Sequence, residues 1–422
     1  MPDLTDEIRR PQPTVFRRAH IKRREMSNGL FESTWQDITD YVQSWGRIQT
    51  AVDDVRLNSF RHSGITLQVL NDTGFFNDEN NVNSFWFGYP TRYRTLVRIQ
   101  GGYVQDDSVE LPTDPSLGIF ILDSEIGISS KSNLASFQCS SLQSIFDEIV
   151  ATDIVGVGAT QTASQIIAKI RDHTDGSGNA IFREFITQTA WNIQATSNNY
   201  NFATSTSLDG LTAWQLMQKL AEAEGFVLYI DRFGGFNFTD RDVPTGTTDL
   251  SLYGQGFQRP NIISLDEYKE DLDKYYNFFR FKHLEADTST SYVEAGTVIA
   301  VSATNLSWKY GQRIYNFENK FVSATATAQS IVDTLFSEFS DVKNELRLTC
   351  KFIPHIDILD GVSVSYHSYD IVGQTLWNHF EWDDADWADE GDNFDWDAKG
   401  FKVLSRTIDL NRMMTSYILR EN

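Results

Sequence analysis

The chain has 422 residues, more than one hydrophobic core fills, so roughly two to four domains of about 100–200 residues each are expected. Its 36 basic side chains face 58 acidic ones, a net charge of −22, which excludes a whole-protein nucleic-acid reader because such proteins need Lys and Arg to displace counterions. Two cysteines, Cys139 and Cys350, exclude a disulfide-stapled scaffold and a cysteine-rich zinc module, and no run approaches the ~18 apolar residues of a membrane span.

Residues 1–30 are locally basic, with Arg9, Arg10, Arg17, Arg18, Lys22, Arg23 and Arg24, and read as an arm and hairpin turning at Ser27-Asn28-Gly29. The basic stripe is a candidate contact for an acidic neighbour, with a solvated strand face as the alternative. From Leu30 to Gln138 short alternating segments such as Ile65–Leu70 and Arg94–Gln100, separated by turns, predict an antiparallel sheet curling into a barrel or sandwich. Between Ser140 and Asp249 the spacing becomes helical. Helices are predicted over Ser141–Val150, over Ala163–Asp172 with Thr162 as cap, and over Leu211–Glu224 stopped by Gly225. A hairpin, Phe226–Asp231 and Phe236–Thr239, closes this α+β unit.

Strand patterns return after Asn261, interrupted by one helix near Ala324–Phe339 with Ala328, Ile331, Leu335 and Phe339 inward. Leu346, Leu348, Cys350 and Phe352 then face one way, and Val362, Val364 and Tyr366 continue the alternation. The expected class is α+β, mainly β. Two β-barrel-like domains, 31–139 and 256–422, flank an inserted α+β domain, 140–255, and an acidic insertion occupies 374–399.

That insertion places nine carboxylates between Glu381 and Asp397, among them Asp383, Asp384 and Asp386, together with Trp377, Trp382, Trp387 and Trp396. Clustered carboxylates suit calcium, but no EF-hand register fits, so the default is a partner-facing acidic loop. The tryptophans could stack on sugars or a partner, or pin the loop to its own domain. His355-Ile-Asp357 reads as a turn, Asp172–Asn179 lacks the Lys of a P-loop, and no nucleophile elbow or HExxH motif occurs. No active site emerges, and no cofactor is implied.

Six segments in fixed order carry a resemblance: Phe31–Val42, Leu67–Phe76 with Asn80–Phe87, Trp214–Ala223 before Phe226–Phe238, Ala328–Phe336, Asp360–Val364 and Phe401–Glu421. In that order the chain resembles the tail hub proteins of long-tailed bacteriophages. The resemblance implies a non-enzymatic homotrimer at the tail tip of the virion, assembled in the host cytoplasm, that adapts a six-fold tail tube to a three-fold tip around the DNA channel. Expected partners are the distal tail or tail tube protein, the tape measure protein, and tip spike or fibre proteins, with passing DNA touched only non-specifically. Candidate partner contacts are Trp377, Trp382, Asp383, Asp384, Asp386, Trp387 and Trp396 in the insertion, and Arg17, Arg18, Arg23 and Arg24 in the basic stripe. The alternatives are a receptor- or carbohydrate-binding tail protein and a β-rich glycosidase. Against the longer members of that family, wall digestion and receptor binding, if they occur, are expected in other chains.

Overall fold

The structure, a computed structural model, describes residues 13–25, 30–52, 59–77, 80–89, 95–104, 110–122, 126–129, 133–154, 160–176, 178, 180–201, 208, 210–240, 250–253, 260–285, 289–296, 311–319, 321–322, 325–367 and 395–421. The first strands are β1 (Thr14–Lys22), β2 (Gln36–Asp37) and β3 (Val42–Trp45), followed by β4 (Arg47–Val52) and β5 (Phe60–His62). Then come β6 (Ile65–Leu70), β7 (Thr95–Val104), β8 (Glu110–Leu111), β9 (Ser116–Leu122), β10 (Gly127–Ser129) and β11 (Leu134–Ser141). All of these except β4 and β5 form one antiparallel sheet of order β2-β1-β7-β9-β11-β6-β3, with β8 beside β7 and β10 beside β11. The alternation predicted for β6 is literal: Ile65, Leu67 and Val69 are buried and Thr66 and Gln68 exposed.

The α+β unit holds α1 (Ser144–Asp147), β12 (Thr160–Thr162), α2 (Ala163–Arg171), β13 (Trp191–Ile193), β14 (Asn199–Asn201), α3 (Ala213–Glu224), β15 (Phe226–Ile230) and β16 (Phe236–Asp240). Both longer helices start with a full capping box, Thr162 with Gln165 and Thr212 with Gln215, so two otherwise orphaned N–H groups are satisfied at each end. α3 stops at Gly225, whose φ of 72° is the left-handed conformation that disfavours a side chain. Thr212→Ala is expected to cost about 1 kcal/mol, read as a lowered urea midpoint for the transition that melts α3. The helix predicted over 141–150 is only four residues long. Its C-terminal part is drawn away because Val150 bridges to Thr212 and the Ala213 N–H donates to the Ile149 carbonyl, a tertiary pairing that overrides local spacing.

The last third comprises β17 (Leu250–Tyr253), β18 (Ile262–Glu270), β19 (Phe278–Glu285), β20 (Ser289–Gly296), β21 (Ile314–Asn319), α4 (Thr325–Phe339), β22 (Asn344–Lys351), β23 (Gly361–His367), β24 (Asp395–Asp409) and β25 (Met414–Glu421). A second large sheet runs β17-β23-β24-β25-β22-β18. Its free edge, β18, carries two register shifts and the charged side chains Asp266, Glu267, Lys269 and Glu270, features that discourage edge-to-edge pairing.

Two sequence assignments change. Strands β4 and β5, read as part of the first β unit, join the second sheet instead, β4 against β24 and β5 against β4, and β1, read as part of a separate arm, lies in the first sheet against β7. A turn pattern reveals where strands end but not which distant strand completes their ladders. The fold is α+β and mainly β as expected, built from open sheets; none closes into a barrel among the described residues.

The two large sheets share one apolar core, with Leu67, Val97 and Phe137 from the first meeting Leu348, Val403 and Leu419 from the second. Cys139 and Cys350 are both buried in it. Tyr103 of β7 spans the boundary, donating its hydroxyl to the Phe352 carbonyl. A second core joins the α+β unit to α4: Phe146, Trp214 and Phe236 on one side, Ala328, Ile331, Leu335 and Phe339 on the other. The inward face predicted for α4 is the buried one.

Candidate functional site

Among the predicted partner contacts, Trp377, Trp382, Asp383, Asp384, Asp386 and Trp387 lie outside the described residues, as does the Asn28-Gly29 turn. Trp396 stands at the root of the acidic insertion, half-buried, its ring 4.7 Å from Tyr268 and 5.8 Å from Phe401. Lys399 sits 5.1, 5.3 and 5.9 Å from the Tyr268, Trp396 and Phe401 rings and ion-pairs with Glu421 at 3.1 Å. Burial opposes the charge on Lys399, yet the hydrogen bonds it donates to Tyr268 and Glu421 outweigh it and raise its pKa. Trp396 thus pins the insertion's end to the second sheet.

The four arginines named as candidate contacts are tied into their own chain, and Arg9 and Arg10 lie outside the described residues. Arg17 donates to the Leu410 carbonyl and lies 5.2 Å from the Trp45 ring, so it joins β1 to the end of β24. Arg18 makes a forked pair with Glu110. Arg23 forks onto Glu32 at 2.7 and 2.9 Å, donates to the Phe85 carbonyl, and stacks 3.8 Å from the Tyr89 ring. Arg24 reaches Glu184 of the α+β unit at 2.6 Å and covers Phe31. Planar, forked guanidinium contacts of this kind fix geometry as well as charge.

A buried polar cluster lies where the three units meet. Tyr417, Arg406, Thr50 and His62 are consecutive cross-strand partners on β25, β24, β4 and β5, and they form a row through the second sheet. All four are buried, with Arg406 and Thr50 at 0% exposure. A register shift between Val403 and Ser405 accompanies the placement of Leu404, Arg406 and Ile408 on buried positions.

The row faces the turn 354–360. Arg406 donates through Nη1 to the Ile356 carbonyl at 2.8 Å, and its Nη2 is 3.4 Å from Asp357 Oδ1. The Asp357 N–H donates to Asp360 Oδ2 and Asp357 Oδ1 accepts from the Ile358 N–H, so the turn is held by its own carboxylates. Leu359, at φ 66°, donates to the Val403 carbonyl and locks the turn onto β24. On Asp357 burial works against the charge, but Arg406, His62 and Arg232 outweigh it and hold the carboxyl below its usual range.

The α+β unit completes the joint. His62 Nε2 is 2.8 Å from the Ile230 carbonyl, which can only accept, so Nε2 carries the proton and Nδ1 accepts from the Thr50 hydroxyl at 2.7 Å. Burial, reinforced by Arg406 and opposed by Asp357, pushes the imidazole down to about 4. Arg232, in the turn between β15 and β16, donates to the Pro354 carbonyl, while Ser116 of the first sheet donates to the Arg232 carbonyl at 2.9 Å. Phe60, Val227, Tyr229, Ile358 and Leu359 pack an apolar cluster beside these bonds.

No sequence motif marked this joint; His355-Ile-Asp357 read as a turn, which it is. The available signal was Arg406 inside the strand run Val403–Ile408, a charge where the alternation calls for an inward side chain. Among the described residues no group of three His, Cys, Asp or Glu is placed to hold a metal ion, and no helix is long and apolar enough to cross a membrane. A cleft of about 450 Å3 between β4 and the 269–274 segment is lined by Lys274, Asp271 and Glu345, which pair with one another at 2.9 and 3.4 Å.

No protein-family model and no curated protein matches the sequence. Solved structures do. A tail protein from Neisseria meningitidis superposes with a TM-score of 0.53 at 12% identity, covering 97% of both chains. A 43 kDa prophage tail protein from Shewanella oneidensis gives 0.50 at 12% identity, over 96% of this chain and 98% of that one. The fold is therefore that of phage tail proteins, as the sequence resemblance implies.

Proposed function

We propose that the chain is a structural subunit of a phage tail, placed at the tail tip as a homotrimeric hub around the DNA channel. The observation that carries this reading is the whole-length likeness to tail proteins, which covers both large sheets, the inserted unit and their joint rather than one common motif. Two large sheets per subunit on one shared core give a trimer six large sheets, a number suited to meeting a six-fold tube above and a three-fold tip below. The net charge of −22 per chain supports a channel wall that a DNA duplex passes without adhering.

In this reading the neighbours are the tail tube or distal tail protein, the tape measure protein, and spike or fibre proteins. The acidic insertion with Trp377, Trp382 and Trp387 faces one of them, as does Arg18, whose side chain is 38% exposed. The role is structural rather than catalytic. Cryo-electron microscopy of purified tails is expected to show three copies of the 48.1 kDa chain around the axis at the tip. Six copies, or copies repeated along the tube, would overturn the proposal.

A further inference from the structure

The buried row and its turn do more than fill a core, because the His62 Nε2 bond leads out of the second sheet to the Ile230 carbonyl at the end of β15. Other polar contacts cross this boundary: Gln143 donates to the Phe60 carbonyl, the Gln218 side chain reaches Ser59, Ser59 bridges to Leu228, and Arg232 reaches Pro354. Strand β5 is thus a short strap between the second sheet and the inserted unit, with the imidazole as its terminal bond.

We propose that this joint is an acid-operated latch: proton uptake by His62 releases the β15–β16 hairpin, and the inserted unit with it, from the strap β4–β5 and the turn 354–360.

The charges around the imidazole set its response. Arg406 of β24 repels a proton and Asp357 of the turn attracts one. Asp357 already serves Arg406 and Arg232, so a cationic His62 would be a third positive group sharing one carboxylate. Asp360 lies in the same turn and is held by the Asp357 N–H. From the hairpin come Arg232, Tyr229 and Asp231; the last is an acid whose carboxyl burial pushes up, against hydrogen bonds from Gly235 and Asn237. Tyr417 of β25 closes the row and stays neutral, since burial pushes its hydroxyl up. Protonation also turns Nδ1 into a donor, so the Thr50 hydroxyl that donates to it has to rotate and accept instead. Nε2–H keeps donating to Ile230, and the destabilising element is the added buried charge.

The sign follows from linkage. The opened state holds an ordinary imidazole near 6.5 and the closed state one near 4, so opening takes up a proton between those values. Closure is fully favoured above about pH 6.5, weakens as pH falls, and gains no further acid sensitivity below about 4.

The test is hydrogen exchange by mass spectrometry on the full chain, corrected for intrinsic exchange, between pH 7.5 and 4.5. Residues 59–62 and 226–240 are expected to lose protection by on the order of 10- to 100-fold, while β7 and β22 keep theirs. His62→Gln, a neutral donor and acceptor, is expected to flatten that response. Loss spread evenly over all strands, no loss in the hairpin, or the same acid response in His62→Gln overturns the latch. If that variant does not fold, the His62 ring signals followed by NMR in the unaltered chain decide. Their midpoint has to coincide with hairpin opening, and a mismatch overturns it.

Discussion

Replacing Arg406 by Met is expected to lower stability by about 3–5 kcal/mol, seen as a marked drop in the denaturant midpoint of the second sheet. The guanidinium is 0% exposed and is the nearest cation to Asp357, whose side chain is 17% exposed. Methionine fills the stem's volume but leaves the carboxylate uncompensated and the Ile356 carbonyl without its donor. The double variant Arg406→Met with Asp357→Asn should recover much of the loss. Asn keeps an oxygen for the Ile358 N–H while removing the stranded charge. A single-variant cost below about 1 kcal/mol, or a double variant no better than the single, would show that the pair is not what holds the turn. The same change removes a charge that depresses the His62 pKa, so the imidazole's midpoint should move up.

Trp214→Ala is expected to cost a similar amount, about 3–5 kcal/mol, but in the inserted unit. The indole is 0% exposed on α3, 5.9 Å from the Phe146 ring, which itself stacks on Phe182 at 4.5 Å and meets Trp191 and Phe236. Removing it opens a cavity that the helix, packed on β15, α1, α2 and α4, is poorly able to collapse. Trp214→Phe should be far milder, because it retains most of the packing and removes an Nε1–H that meets no acceptor among the described residues. Thermal melts of both variants distinguish the two effects; equal costs would mean that the indole N–H, not the ring, matters. Because cores of the inserted unit and of α4 are continuous, the alanine variant should also loosen α4.

The two changes probe parts of the molecule that differ in how visible they are beforehand. Trp214 sits in a helix announced by its helical spacing and by Gly225, with the start read after Asp209 and found capped at Thr212. The capping boxes, the inward face of α4, and the alternation placing Leu346, Leu348 and Cys350 in the core are local patterns of the same kind. The short α1 is the counterexample, since its apolar spacing was diverted by the bridge from Val150 to Thr212.

The sequence alone thus determined the mainly β class, the position of the longer helices, the acidic charge, and an order of segments that resembles phage tail hubs. Those properties depend on neighbours a few residues apart, where backbone geometry dictates the spacing of inward side chains. Only the tertiary structure decided that β4 and β5 leave the first sheet for the second, and that Arg17, Arg18, Arg23 and Arg24 make intrachain contacts such as Arg17 with Leu410, 393 residues away. It alone lined up Tyr417, Arg406, Thr50 and His62. Strand order and register are set by which distant ladders and cores close together, and no period in the sequence encodes that choice.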